Sequence, residues 1–193
     1  MGTAQPNVQS GEKFSGATIW RTVSNLILRF EEKCDRPPHK VLLMRDGLVQ
    51  GHEFEETVHH LTAANIAVDV LGVRKSGTGR LGMLQGGVYQ DAPLGSTVFW
   101  ESEKSFLMIT SQAVNQNLGS ARPLRVVHAH GSTPVTVLAE QTYHLTQMHP
   151  ASGFRASRLP WVLHLADRSS KELPRLGDIG LLQNLDRTKL IAV

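Results

Sequence analysis

A chain of 193 residues with 40% hydrophobic content, no low-complexity block and a formal charge of +3 reads as one soluble globular domain with enough apolar material for a core. Its single cysteine, Cys34, excludes an internal disulfide and any multi-cysteine zinc site. No run approaches the roughly 18 apolar residues of a membrane span, and MGTAQPNVQSGEKF holds no apolar signal core, so a reducing, cytoplasmic setting is expected.

Ser15 or Thr18 is placed to cap a helix in which Ile19, Val23, Leu26, Ile27 and Phe30 recur at helical spacing, and which stops before Asp35-Arg36-Pro37-Pro38. Val41 to Met44 is a short continuous apolar run, the pattern of a strand buried on both faces. Phe54, Val58 and Leu61 repeat at i, i+4, i+7 in a second helix, and IAVDVLGV (66 to 73) reads as another buried strand. Helix, strand, helix, strand predicts an α/β fold with parallel strands joined by crossovers. Gly and Ser then punctuate 76 to 96, and STVFWESEKSFLMITS predicts two strands meeting near Glu103-Lys104. LRVVHAHG (124 to 131) is a further strand, residues 135 to 149 have the composition of a helix, and Trp161 to Leu173 form a last helix broken by Pro174. Neither an internal repeat nor a dividing linker is visible.

Chemistry is carried by carboxylates. Asp46 ends the 41–44 strand, and α/β proteins place ligand sites at the carboxyl ends of parallel strands, although Asp46-Gly47 is equally a turn signal. Asp167 in LPWVLHLADRSSK reads either as a ligand or as a first-turn carboxylate facing a helix dipole. Glu12 lies in the loop-like SGEKFSG, where a glutamate is usually solvated. The histidines form no zinc set: His59 and His60 share a helix, His128 and His130 alternate on a strand, and His164 lies three residues before Asp167 as a candidate outer partner. Trp20, Trp100 and Trp161 read as packed anchors rather than base-stacking platforms.

MRDG after an apolar strand, VRKSGTGRL one helix-strand step later, a two-strand section, GSARPLRVVHA and finally LPWVLHLADR resemble, in order, the landmarks of the PIWI domain of prokaryotic Argonaute proteins. The resemblance implies an RNase H-like (PIWI) fold over 12–193 behind a short tail at 1–11, lacking the opening strands and the first catalytic aspartate. It also implies descent from a guide-directed, metal-dependent endonuclease. Asp46 and Asp167 match metal-ligand positions for Mg²⁺ or Mn²⁺, and Glu12 stands where active members carry a mobile glutamate. Such chemistry needs clustered hard oxygen ligands bridging a scissile phosphate. Arg74, Lys75, Arg80 and Arg122 match residues facing guide and target nucleic acid, DNA or RNA. Lys171 matches a contact to the guide's 5′-phosphate, and the terminal carboxylate of Val193 a ligand to a metal there. The implied partners are guide, target and the missing N-terminal half of an Argonaute, and without that half the 41–46 strand would keep an unpaired edge. A non-catalytic guide-binding module and an inactive fragment are the competing readings.

Overall fold

The computed structural model describes residues 14–75, 79–111, 122–148 and 158–176. Helix α1 (Gly16–Cys34) begins at Ser15, whose hydroxyl accepts from the Thr18 amide at 3.2 Å, and ends where Asp35 turns into the left-handed region at φ 53°. Strand β1 (Lys40–Asp46) runs two residues past the apolar stretch and ends on the aspartate. Helix α2 (Glu55–Ala63) opens on Glu55 and Glu56, which suit the positive end of its dipole, and leads to β2 (Ala67–Arg74). Strands β1 and β2 are parallel, with Leu42 opposite Asp69 and Asp46 opposite Val73, as a βαβ crossover requires.

Next come β3 (Gly82–Gln85), β4 (Val88–Asp91), β5 (Thr97–Trp100), a 3₁₀ turn at Glu101–Glu103, β6 (Ser105–Met108), β7 (Leu124–His130), α3 (Val135–Gln147) and α4 (Trp161–Leu176). One sheet has the order β1-β2-β7-β6-β5; β3 and β4 form a separate antiparallel hairpin. The described residues divide into two compact units, one holding those up to Arg74 with Trp100–Ser105 and Val126–Val135, the other holding the remaining described residues.

In the first unit, Val23, Leu61, Ile66, Val68 and Val70 are buried together, joined by half-buried Val41 and Leu43 from β1. Burying side chains of this size contributes about 1.5–3 kcal/mol each. The run Val41 to Met44 is half-buried rather than covered on both faces, and among the described residues β1 lies at one edge of its sheet. Helix α1 leaves Leu26, Leu28 and Phe30 exposed. At Gly72 an added Cβ would lie 3.0–3.1 Å from Gly47 O, Leu48 Cα and Val49 N, all backbone atoms that cannot swing aside. Gly72→Ala is therefore expected to destabilise the protein by about 1–3 kcal/mol, measured by denaturant unfolding.

In the second unit, Phe106, Met108, Ile109, Leu124, Leu138 and Leu163 are buried. The β3–β4 hairpin, which the punctuated 76–96 stretch did not reveal, turns on Gly86 and Gly87 at φ 59° and 81°, the backbone of a tight hairpin turn. Helix α4 continues through Pro174 to Leu176 instead of breaking there; so near the end, the proline forgoes a single main-chain bond to residue 170.

Candidate functional site

Asp46 is the half-buried last residue of β1. Side chains alternate along a strand, so Arg45 shares the face of Val41 and Leu43, while Asp46 shares the other face with Met44. The chain then turns at once. Gly47 takes φ +101° and donates its amide to Val73 O at 2.7 Å, and Arg45 Nη1 donates to Asp46 O at 3.2 Å and Leu48 O at 2.8 Å. The Arg45 guanidinium is itself anchored: Nε lies 2.8 Å from Glu53 Oε2, with Arg45 10% and Glu53 1% exposed. The N–H vector misses that oxygen, which accepts no aligned hydrogen bond among the described residues, so this contact is chiefly charge on charge.

Asp167 stands in the second turn of α4, past the first-turn position at which a helix dipole would act on it. It is three-quarters buried and accepts from Lys75 Nζ at 3.3 Å. Behind Lys75 lies Arg158, whose Nη2 donates to the Lys75 carbonyl and, at 3.2 Å, to Pro123 O; Thr110 Oγ1 donates to Arg158 O at 2.7 Å. Arg158 thus ties the segment after β2 and the start of β7 to the foot of α4. Burial, and then the charge of Arg122, lower its pKa.

Asp69, which the sequence reading passed over as part of a buried strand, is the centre of a third cluster. Its side chain is 2% exposed; Oδ1 accepts from buried His128 Nε2 at 2.9 Å and from the Thr133 amide at 3.3 Å, and Oδ2 from Thr133 Oγ1 at 2.6 Å. Lys40 Nζ lies 2.7 Å from Oδ2 and also contacts Thr133 Oγ1. Burial alone would raise the Asp69 pKa, but Lys40 and the Thr133 donors outweigh it and hold the carboxyl below the usual aspartate range. Gly131, at φ +115°, leaves room: a Cβ there would reach 2.7 Å from Asp69 Cγ.

The other anticipated residues fall as follows. Arg74 is the exposed last residue of β2; Arg80 and Arg122 are exposed. Lys171 lies on α4, while Glu12 and Val193 fall outside the described residues. The structure brings Lys75 against Asp167. His164 stacks on Trp161, ring centroids 5.9 Å apart, and Trp20 stacks on His60 at 4.4 Å. Among the described residues no three His, Cys, Asp or Glu side chains gather closely enough to hold a metal ion. The donors suit Mg²⁺ or Mn²⁺ in kind, because such ions are commonly held by one or two carboxylates with phosphate and water completing the shell. Asp167 already accepts a cation, the Lys75 ammonium.

No protein-family model matches the chain. It is 59% identical over 197 aligned residues to the Argonaute protein of Synechococcus elongatus, covering 100% of this chain and 27% of that protein. It is 42% identical over 193 residues to the Argonaute of Thermus thermophilus, covering 97% and 26%. The chain thus spans about a quarter of the length of these curated relatives. Among solved structures, Clostridium butyricum Argonaute bound to a guide DNA and a 19-mer target DNA superposes with a TM-score of 0.75 at 21% identity, over 84% of this chain and 21% of that one. The α/β architecture is therefore of the RNase H-like, PIWI type found in these structures. The chain belongs with the prokaryotic Argonaute proteins over the part of them that it spans.

Proposed function

We propose that this chain is the part of a PIWI-type nuclease that contacts guide and target nucleic acid and supplies two carboxylates to its divalent metal ions, Mg²⁺ or Mn²⁺. The observation that carries the reading is Asp46: a half-buried carboxylate ending a parallel strand, in a chain 59% identical along its whole length to an Argonaute. Asp46 and Asp167 would hold such an ion, which would supply positive charge to the reacting phosphodiester. The chain's own residues supply the rest. Asp46 and Asp167 present hard oxygens, and Lys75 neutralises Asp167 while no divalent ion is bound. Arg74, Arg80 and Arg122 offer exposed charge to phosphates, releasing counterions as nucleic acid binds. Glu12, Lys171 and the Val193 carboxylate keep the roles that the resemblance gives them. Acidic side chains beside phosphates gain nothing for a purely binding surface, which favours descent from a cutting enzyme over a binding module.

The edge position of β1 and the exposed Leu26, Leu28 and Phe30 of α1 support a further segment of an Argonaute as the partner that completes this sheet. The test is calorimetric titration of the protein with Mn²⁺. Wild type is expected to bind, while Asp46→Ala and Asp167→Ala each lose the binding heat and still unfold cooperatively on heating. Equal binding by all three proteins overturns the assignment.

A further inference from the structure

The chain spends a buried ion pair immediately beside the carboxylate it ends β1 on, and that expense calls for a role. Arg45 and Glu53 are 10% and 1% exposed, and taking both charges out of water is repaid only partly by their attraction, so apolar residues would hold this corner as well. What apolar residues would not supply is the guanidinium's second set of contacts. Arg45 Nη1 donates to the carbonyls of Asp46 and Leu48, the two residues flanking Gly47. The turn is also held from the other side, through the Gly47 amide on Val73 O and by the close passage of residues 47–49 over Gly72. The space around Gly47 is filled by the same guanidinium: a Cβ on Gly47 would lie 2.7 Å from Arg45 Nη1.

From this we infer that Arg45, oriented by Glu53, is a positioning residue for Asp46, fixing the main chain on both sides of the turn so that the carboxylate leaves β1 in one direction. The inference rests on the reading of Asp46 as a metal ligand, and it deepens that reading. A ligand's supporting contacts set its orientation and hence its affinity. Glu53 anchors the charge of Arg45 while leaving the two Nη1 bonds to the turn. Lysine retains the charge at 45, but its single ammonium cannot place one nitrogen on both carbonyls and a second against Glu53.

The test uses the whole 193-residue protein, two variants and two measurements. Arg45→Met with Glu53→Met removes both charges together, which leaves no buried charge unpaired; Arg45→Lys keeps the charge and serves as the second variant should the double substitution fail to fold. Mn²⁺ affinity is measured by calorimetry, and amide hydrogen exchange of the peptide spanning 45–49 is followed without metal. Both variants are expected to melt close to wild type, to bind Mn²⁺ roughly tenfold more weakly, and to exchange faster over 46–48. Variants that bind Mn²⁺ as tightly as wild type and keep wild-type exchange over 46–48 overturn the inference. If wild type takes no Mn²⁺ while exchange still quickens in the variants, the metal-ligand reading of Asp46 fails and the clamp on the turn stands.

Discussion

Asp69→Ala is expected to destabilise the protein by about 3–5 kcal/mol, the usual cost of removing one member of a buried charge network. The carboxylate satisfies His128 Nε2, the Thr133 amide, the Thr133 hydroxyl and the Lys40 ammonium at once. Alanine strands the first three beside a methyl group, and a stranded buried donor costs about 1–3 kcal/mol. For a chain of this size the melting temperature should fall by roughly 10 °C. The pH dependence gives a second readout. The native pKa of Asp69 is depressed, so its contribution is fully present above the unfolded value, about 3.9, and is lost as the pH falls through the lower native value. The stability difference between wild type and Asp69→Asn should therefore be constant from neutral pH down to about pH 4 and shrink below it. A difference that instead shrinks between pH 5 and 7 would assign the network's stabilisation to another group.

That network shows what the sequence made legible and what it did not. The long periodic elements were readable: the Ser15 cap, the stop at Asp35, the helix through Val58 and Leu61, and the parallel pairing of the two apolar runs that flank it. The cap, the stop and the helix are each specified by spacing within a dozen residues, and the parallel pairing follows from the crossover that this helix makes between the two runs. The β3–β4 hairpin was not, because its strands are exposed throughout and no burial imposes an alternation on them. Its one signal, Gly86-Gly87, was read only as punctuation. The half-burial of β1 depends on what packs over its faces, which its own apolar run does not reveal.

The position of Asp46 at the end of β1 was legible because a strand's carboxyl end can be located from its apolar run. Its support was not, since Arg45 and Glu53 meet only after the Gly47 turn folds the chain back. Asp69 did carry a sequence signal: one carboxylate in IAVDVLGV, an otherwise apolar strand, must be paired if the strand is buried. Its partners Lys40, His128 and Thr133 lie 29 to 64 residues away, and nothing local names them. Arg158 went unnoticed for the same reason. Its function is to join three main-chain segments, and a residue that bonds carbonyls leaves no complementary side chain in the sequence to look for.

On the proposed reading, Asp46→Ala and Asp167→Ala, each made in an Argonaute whose corresponding part is this chain, are expected to lower guided cleavage by roughly 10³-fold or more. Metal stabilisation of the attacking and leaving oxygens contributes several kcal/mol to such a reaction, and each 1.4 kcal/mol is about tenfold in rate. Guide and target binding should hold or tighten slightly, because each substitution removes an anion near phosphates. The measurement is single-turnover cleavage of a labelled target alongside filter binding of the same strand. A rate within tenfold of wild type for either variant would remove that carboxylate from the metal site. Loss of cleavage together with loss of binding would point instead to a folding defect, which Asp46→Asn, nearly isosteric, would separate from the loss of a charged ligand.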